Sequence, residues 1–199
     1  MCYQIYSDDE MTLILRIKVP LLVILATAMA ASAVLASPRS ATPWSGVVTY
    51  VVDGDTVRVR PPGGGKPVSI RIDGIDAPEI CQAGGPTSRD ALKRRVLGQR
   101  VAVHGRVRDD YGRLLARIML DGEDQGRWMV AQGQAWSYRY RGSAGPYAAE
   151  EGRAQAARRG LFSMQPSAPV NPRDFRKSHG SCRFEAFLPP GSKLPVLKA

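Results

Sequence analysis

"VVTYVVDGDTVRVR", residues 47–60, decides the reading of the fold. Two β-branched runs, 47–53 and 56–60, flank an Asp-Gly-Asp link. In the second run Val57 and Val59 alternate with Arg58 and Arg60, the period-two pattern of a strand with one face buried. Working outward, "PPGGGKP" (61–67) is a loop whose glycines connect strands rather than cradle a phosphate, since no helix follows. "VSIRI" (68–72) is a third strand with Ile70 and Ile72 on one face and Arg71 on the other. "TSRDALKRRVL" (87–97) reads as a helix, with Thr87 or Ser88 as N-cap and Gly98 as its stop. "RVAVHGRVR" (100–108) and "LLARIML" (114–120) form a strand pair across the turn "DDYG". A short helix over 127–132 ends at Gly133, and another over 146–159 ends at Gly160. Five short strands interrupted once by a helix predict a mainly β chain with α: a five-stranded OB-fold barrel with about three helices.

The chain of 199 residues carries 28 Lys and Arg against 18 Asp and Glu, a net charge of +10. Near its start, "RIKVPLLVILATAMAASAVLA" has two basic residues, an apolar run and a small-residue end, the layout of an export signal over 1–36. The rival reading is an uncleaved membrane anchor over 19–36, since the run approaches the roughly 18 residues a spanning helix needs; Pro20, Thr27 and the small-residue end favour cleavage. A flexible lead (37–45), one domain (46–163) and a Pro-rich, irregular tail (164–199) complete the expected organisation. Without residues 1–36 the net charge rises to +11, which suits a nucleic-acid partner, although charge alone decides nothing. Cys2 leaves with the signal, and Cys81 and Cys182 remain as an even pair in an exported chain, so a disulfide between them is expected. Two histidines and no C-x-x-C spacing argue against a zinc cluster.

Five carboxylates fall between positions 53 and 79: Asp53, Asp55, Asp73, Asp76 and Glu79. An EF-hand does not explain them, because Val57 stands where a third oxygen ligand is required. Asp-Gly turns account for Asp73. Asp55, Asp76 and Glu79 keep different company: Arg71 lies within the same stretch, and Arg113 follows the turn "DDYG". Carboxylates bind a hard cation such as Ca²⁺, and arginine forks reverse their repulsion of a phosphate. Hydrolysis of a phosphodiester needs that combination, with a positioned water.

"VVDGDTVRVR", "IRIDGIDAPE", "DDYGRLLARI", "GQAWSYRY" and "AQAARRGLF" follow one another, and across residues 46–162 the chain resembles the staphylococcal nuclease family. The resemblance implies a five-stranded OB barrel with three helices and Ca²⁺-dependent hydrolysis of DNA and RNA, leaving 3′-phosphate ends. It implies Asp55 and Asp76 as side-chain ligands of Ca²⁺, with Ala77 contributing a backbone carbonyl where the family has Thr. Glu79 matches the carboxylate that positions or activates the attacking water, and Arg71 and Arg113 match the phosphate-binding arginines. Tyr111, Tyr138 and Tyr140 fall where the family places tyrosines around the nucleotide; ordinary half-buried packing is the alternative for each. Two departures stand out: "RYRGSAG" replaces a Lys-Pro loop, and the loop "PEICQAGG" after Glu79 is short. The competing class is a non-catalytic OB module that binds single strands by charge and stacking, but such a module has no need of all five charged residues. A Ca²⁺-stabilised structural module would leave Arg71 and Arg113 without a role. A monomer without a stable protein partner is expected.

Overall fold

The computed structural model describes residues 42–163, 170–180 and 182; the export-signal reading and most of the tail lie outside them. Strand β1 (Trp44–Val51) begins inside the segment read as a lead and turns through Asp53-Gly54-Asp55 into β2 (Thr56–Arg60). The alternation read from the sequence holds: Val57 and Val59 are buried and Arg58 and Arg60 exposed. Strand β3 (Val68–Ile72) sends Ile70 and Ile72 inward, and β4 (Ile75–Asp76) follows it after the Asp73-Gly74 turn. Strands β5 (Arg100–Arg108) and β6 (Leu114–Leu120) are antiparallel, with Val101, Val103, Ala116 and Ile118 in the core.

The order β3-β2-β1-β5-β6 closes on itself because β3 also pairs with β6, in parallel, through Ile70↔Leu114, Arg71↔Leu115 and Ile72↔Ala116. This is the five-stranded barrel expected from the sequence, and closure removes the free edges that an open sheet of this size would expose. Gly46 is required where strands cross tightly: a Cβ there would stand 2.4 Å from the Arg60 carbonyl oxygen. Two-residue strand β7 (Glu123–Asp124) turns back to pair antiparallel with the end of β6, and β8 (Trp136–Ser137) pairs with β4 outside the barrel.

Among the described residues there are four α-helices, against about three expected from the sequence. Helix α1 (Gly85–Val96) buries Ala91, Leu92 and Val96. It starts two residues before the expected position, because Pro86 sits in its first turn and Gly84, in the left-handed region at φ 86°, serves as N-cap. Ser88, one of the two expected caps, is instead fully buried and donates its hydroxyl to the Gln134 carbonyl at 2.6 Å. Helix α2 (Gln125–Ala131) is capped by Asp124, whose carboxylate accepts from the Gly126 and Arg127 amides. Helix α3 (Ala148–Ala156) is shorter than read and is followed by a 3₁₀ turn, Gly160–Ser163. The fourth, α4 (Pro172–His179), lies in the tail that the proline content marked as irregular. Asn171 caps it and Pro172 sits in its first turn, so the proline there begins a helix instead of breaking one. No helix among the described residues is long and apolar enough to cross a membrane.

Ile70 is fully buried at the strand that closes the barrel. Ile70→Ala is expected to destabilise the protein by about 2–5 kcal/mol in urea unfolding, whereas Tyr50→Ala on the exposed side of β1 should stay within about 0.5 kcal/mol. Equal losses for the two variants would contradict the assignment of the closing seam.

Candidate active site

The Asp-Gly-Asp turn between β1 and β2 is closed by the Val52 amide donating to the Thr56 carbonyl at 2.8 Å. Asp53 accepts from the Asp55 amide at 3.0 Å, which sets the turn and leaves the Asp55 carboxylate aimed inward. Gly54 is there for space: a Cβ would meet the Ser88 hydroxyl at 2.0 Å and the Ala77 Cβ at 2.7 Å. The turn is thus pressed against helix α1 and the segment after β4, and Asp55, only 5 % exposed, receives the Ala77 amide on Oδ2 at 2.8 Å and the Thr56 hydroxyl on Oδ1 at 3.0 Å.

Asp76 is placed by different backbone. It pairs with Trp136 in the β4–β8 ladder, Ile75 pairs with Ser137, and the Tyr138 amide donates to the Gly74 carbonyl at 2.9 Å. The ladder is held in turn by Glu151, buried in α3, which accepts from the Ser137 amide at 2.9 Å. These contacts hold Asp76 at 3 % exposure beside Asp55.

Arg71 joins the two. Its position on β3, between Ile70 and Ile72, sends the guanidinium to the opposite side from the core, where Nη1 pairs with Asp55 and Nη2 donates to Asp76 Oδ1 at 3.0 Å. Burial alone would lower the pKa of this guanidinium, but Asp55, Asp76 and Asp53 hold its proton and carry it above the ordinary arginine range. The Asp53 carboxyl is pushed up to about 8, first by burial and then by the charge of Asp55.

Glu79 stands on the loop after β4, at the rim. Gln82 braces this loop by accepting from the Glu79 amide at 3.2 Å and donating its own amide to the Glu79 carbonyl at 2.9 Å. Gly85 lets helix α1 start against it, since a Cβ there would stand 2.0 Å from the Glu79 carbonyl oxygen. A guanidinium that the sequence reading missed lies across the rim. Arg176 of helix α4 donates from Nη1 to Asp76 Oδ1 (3.1 Å) and Glu79 Oε1 (3.0 Å), and from Nη2 to Asp76 Oδ2 (2.8 Å). Burial opposes its charge, yet Asp76 and then Glu79 hold its pKa well above the arginine range. Nothing local in "PRDFRKSH" signals this role; only the Cys81–Cys182 pairing suggested that the tail approaches the Glu79 loop. The structure forms that disulfide, with Cα atoms 5.8 Å apart.

Arg113 is not brought onto the carboxylates. It sits at the end of the β5–β6 turn, where its Nε donates to Asp109 Oδ2 at 2.8 Å and its guanidinium covers the Tyr111 ring at 5.2 Å. Desolvation works against the Asp109 charge, but its hydrogen bonds with Arg113 keep its pKa below the usual carboxylate range. Tyr111, Tyr138 and Tyr140 are exposed rather than half-buried, Tyr111 by 84 %, and Arg141 covers the Tyr140 ring at 5.2 Å. Asp73 pairs with Arg106 at 3.2 Å outside the cluster, as its turn reading implied.

Three carboxylates and two guanidiniums therefore share one partly closed site. The oxygen donors of Asp55 and Asp76 suit a hard divalent cation by type, although among the described residues no three carboxylates gather tightly enough to form a metal cluster by themselves.

Comparison with known proteins supplies the family. Residues 69–164 match the family described as "Staphylococcal nuclease homologue". A protein of Escherichia coli O157:H7 described as an uncharacterized endonuclease is 37% identical over 125 residues, 62% of this chain and 80% of the relative. An Escherichia coli protein described as Protein ParB is 36% identical over 174 residues, 80% of this chain and 94% of its own length. The chain belongs to the staphylococcal nuclease family. A probable staphylococcal-like nuclease of Oryza sativa subsp. japonica is 34% identical over 112 residues, 56% of this chain but 33% of the larger plant protein.

The shared guanidinium makes a stability test available. Arg71→Met keeps the apolar stem and removes the charge, leaving Asp55 buried without its cation. A loss of about 3–5 kcal/mol in urea unfolding is expected, and adding Asp55→Asn should restore part of it. Strict additivity of the two substitutions would show that the pair is not coupled.

Proposed function

We propose that the protein is an exported, monomeric, Ca²⁺-dependent nuclease that cleaves both DNA and RNA. The coarse class, a phosphodiester-hydrolysing enzyme, follows from the family; the cation, the substrate range and the export are the proposal. The observation that supports it best is the Arg71 bridge between two buried carboxylates, with the partly exposed Glu79 at the rim. Buried carboxylates are costly to keep, and a site built only for folding would do better with apolar residues.

Asp55 and Asp76, with the Ala77 carbonyl, would hold a Ca²⁺ ion that neutralises oxygens of the scissile phosphate. Arg71, already buried among the carboxylates, is placed to donate to an equatorial phosphate oxygen and to stabilise charge gathering on it in the transition state. Glu79 can accept a proton from water at its rim-side carboxylate and orient that water for in-line attack. Arg113 would reach the phosphate from the β5–β6 turn by leaving Asp109. The exposed Tyr111, Tyr138 and Tyr140 offer faces for bases without reading their edges, which supports a substrate range covering both nucleic acids. The leaving oxygen is assigned to the 5′ side, giving 3′-phosphate ends.

Removing divalent ions should abolish cleavage, and added Ca²⁺ should restore it; full hydrolysis of DNA in excess EGTA would overturn the cation assignment. Glu79→Gln and Arg113→Ala should each lower turnover by roughly 10²-fold or more in a folded protein. DNA affinity of Glu79→Gln should be close to that of the parent, measured by fluorescence anisotropy. Unchanged turnover in that variant would remove Glu79 from the mechanism.

A further inference from the structure

Arg176 lies 100 residues from Asp76 in the chain, yet it takes both oxygens of that carboxylate and one of Glu79. Its delivery is built into the tail. Helix α4 is held at both ends by neighbours of Glu79: Gln82 donates to the Val170 carbonyl at 2.6 Å before the helix, and Cys182 is bonded to Cys81 after it. Within the helix, Phe175 stacks on His179 with ring centroids 4.5 Å apart, and the Asn171 cap fixes the first turn. Two anchors on adjacent residues of one loop hold the Arg176 guanidinium at a high effective concentration over the carboxylates.

On the reading that Asp55 and Asp76 hold a divalent cation, this arrangement has a consequence at Asp76. Its Oδ1 already receives Arg71 Nη2 and Arg176 Nη1, and its Oδ2 receives Arg176 Nη2. A Ca²⁺ ion needs a carboxylate oxygen at about 2.3–2.6 Å, and a guanidinium seated on both oxygens of the same group opposes it by occupancy and by like charge. We infer that Arg176 is a positioning residue of this active site, a tethered guanidinium that neutralises Asp76 and Glu79 and that the divalent cation must displace. The tail thereby sets the cation affinity. Linkage makes the effect reciprocal: cation binding weakens the seating of Arg176 by the same factor as Arg176 weakens the cation. Once unseated, Arg176 also frees Glu79 to meet water, so loading the cation and releasing the carboxylate become one event.

Isothermal titration calorimetry with CaCl₂, on the full chain without substrate, tests this. Arg176→Met is expected to bind Ca²⁺ about tenfold more tightly than the parent, and Cys81→Ser/Cys182→Ser, which keeps Arg176 but cuts the covalent anchor, should be tighter by a smaller factor. A residue that merely braced the site would give the opposite sign on removal. Unchanged or weaker binding by Arg176→Met, with the parent binding Ca²⁺, would overturn the inference and leave the cation reading intact. If neither protein binds Ca²⁺, the cation reading falls and the inference with it. Should Arg176→Met not fold, the side-chain Nε–Hε resonance of Arg176 in the parent decides: it should move on saturation with Ca²⁺, and a fixed resonance while the ion binds would also overturn the inference.

Discussion

Asp55 and Asp76 are buried side by side, and the charge that makes this arrangement tolerable comes first from Arg71, which lies between them. The rest of the structure is arranged around this constraint. Asp55 comes from the first hairpin, Arg71 from the third strand and Asp76 from a ladder outside the barrel, so the triad is held by the β2–β3 pairing on one side and the docking of β8 on the other. Asp55 is further held by the Thr56 hydroxyl and the Ala77 amide, which limits its freedom to move away, while the Asp76 carboxylate is held by the Arg71 and Arg176 guanidiniums. Strand periodicity supplies the logic for Arg71: the alternation that drives Ile70 and Ile72 into the core necessarily turns residue 71 to the other side.

Much of this was legible in the sequence because it is periodic or punctuated. Val57, Val59, Ile70 and Ile72 declared the barrel by alternation, and their burial follows. Helix α4 was not legible, since proline content reads as irregular chain unless the proline falls in a first turn behind an Asn cap. The start of helix α1 was misread for a related reason: Thr87 and Ser88 are good caps by type, but Pro86 and a left-handed Gly84 move the boundary upstream. Gly54 shows a subtler limit. Its place in Asp-Gly-Asp reads as turn chemistry, while the structure uses it for the close approach of Ser88, a tertiary fact that local pattern does not carry.

The site itself was legible in part. The Arg71, Asp76 and Glu79 spacing put three members on consecutive short elements, and the structure brings them together with Asp55. Arg113 was read as a neighbour of the same group, but the structure seats it on Asp109, four residues away, where a short turn offers an immediate counter-charge. Arg176 could not be read at all. A guanidinium in a basic helix has no distinguishing sequence context, and its role comes entirely from where two anchors place the helix.

The β4–β8 ladder joins two parts of the site that the sequence separates widely. Two residue pairs, Ile75↔Ser137 and Asp76↔Trp136, make one small piece of the Asp76 carboxylate and the segment bearing Tyr138 and Tyr140. Timing is affected as well. During synthesis the hairpin, Arg71 and all three carboxylates emerge well before Trp136 and Arg176, so a nascent chain carries most of the cluster's charge while lacking both the backbone partner that fixes Asp76 and the second guanidinium. The complete cluster is thus available only to a chain made past Arg176, well after the last barrel strand has emerged.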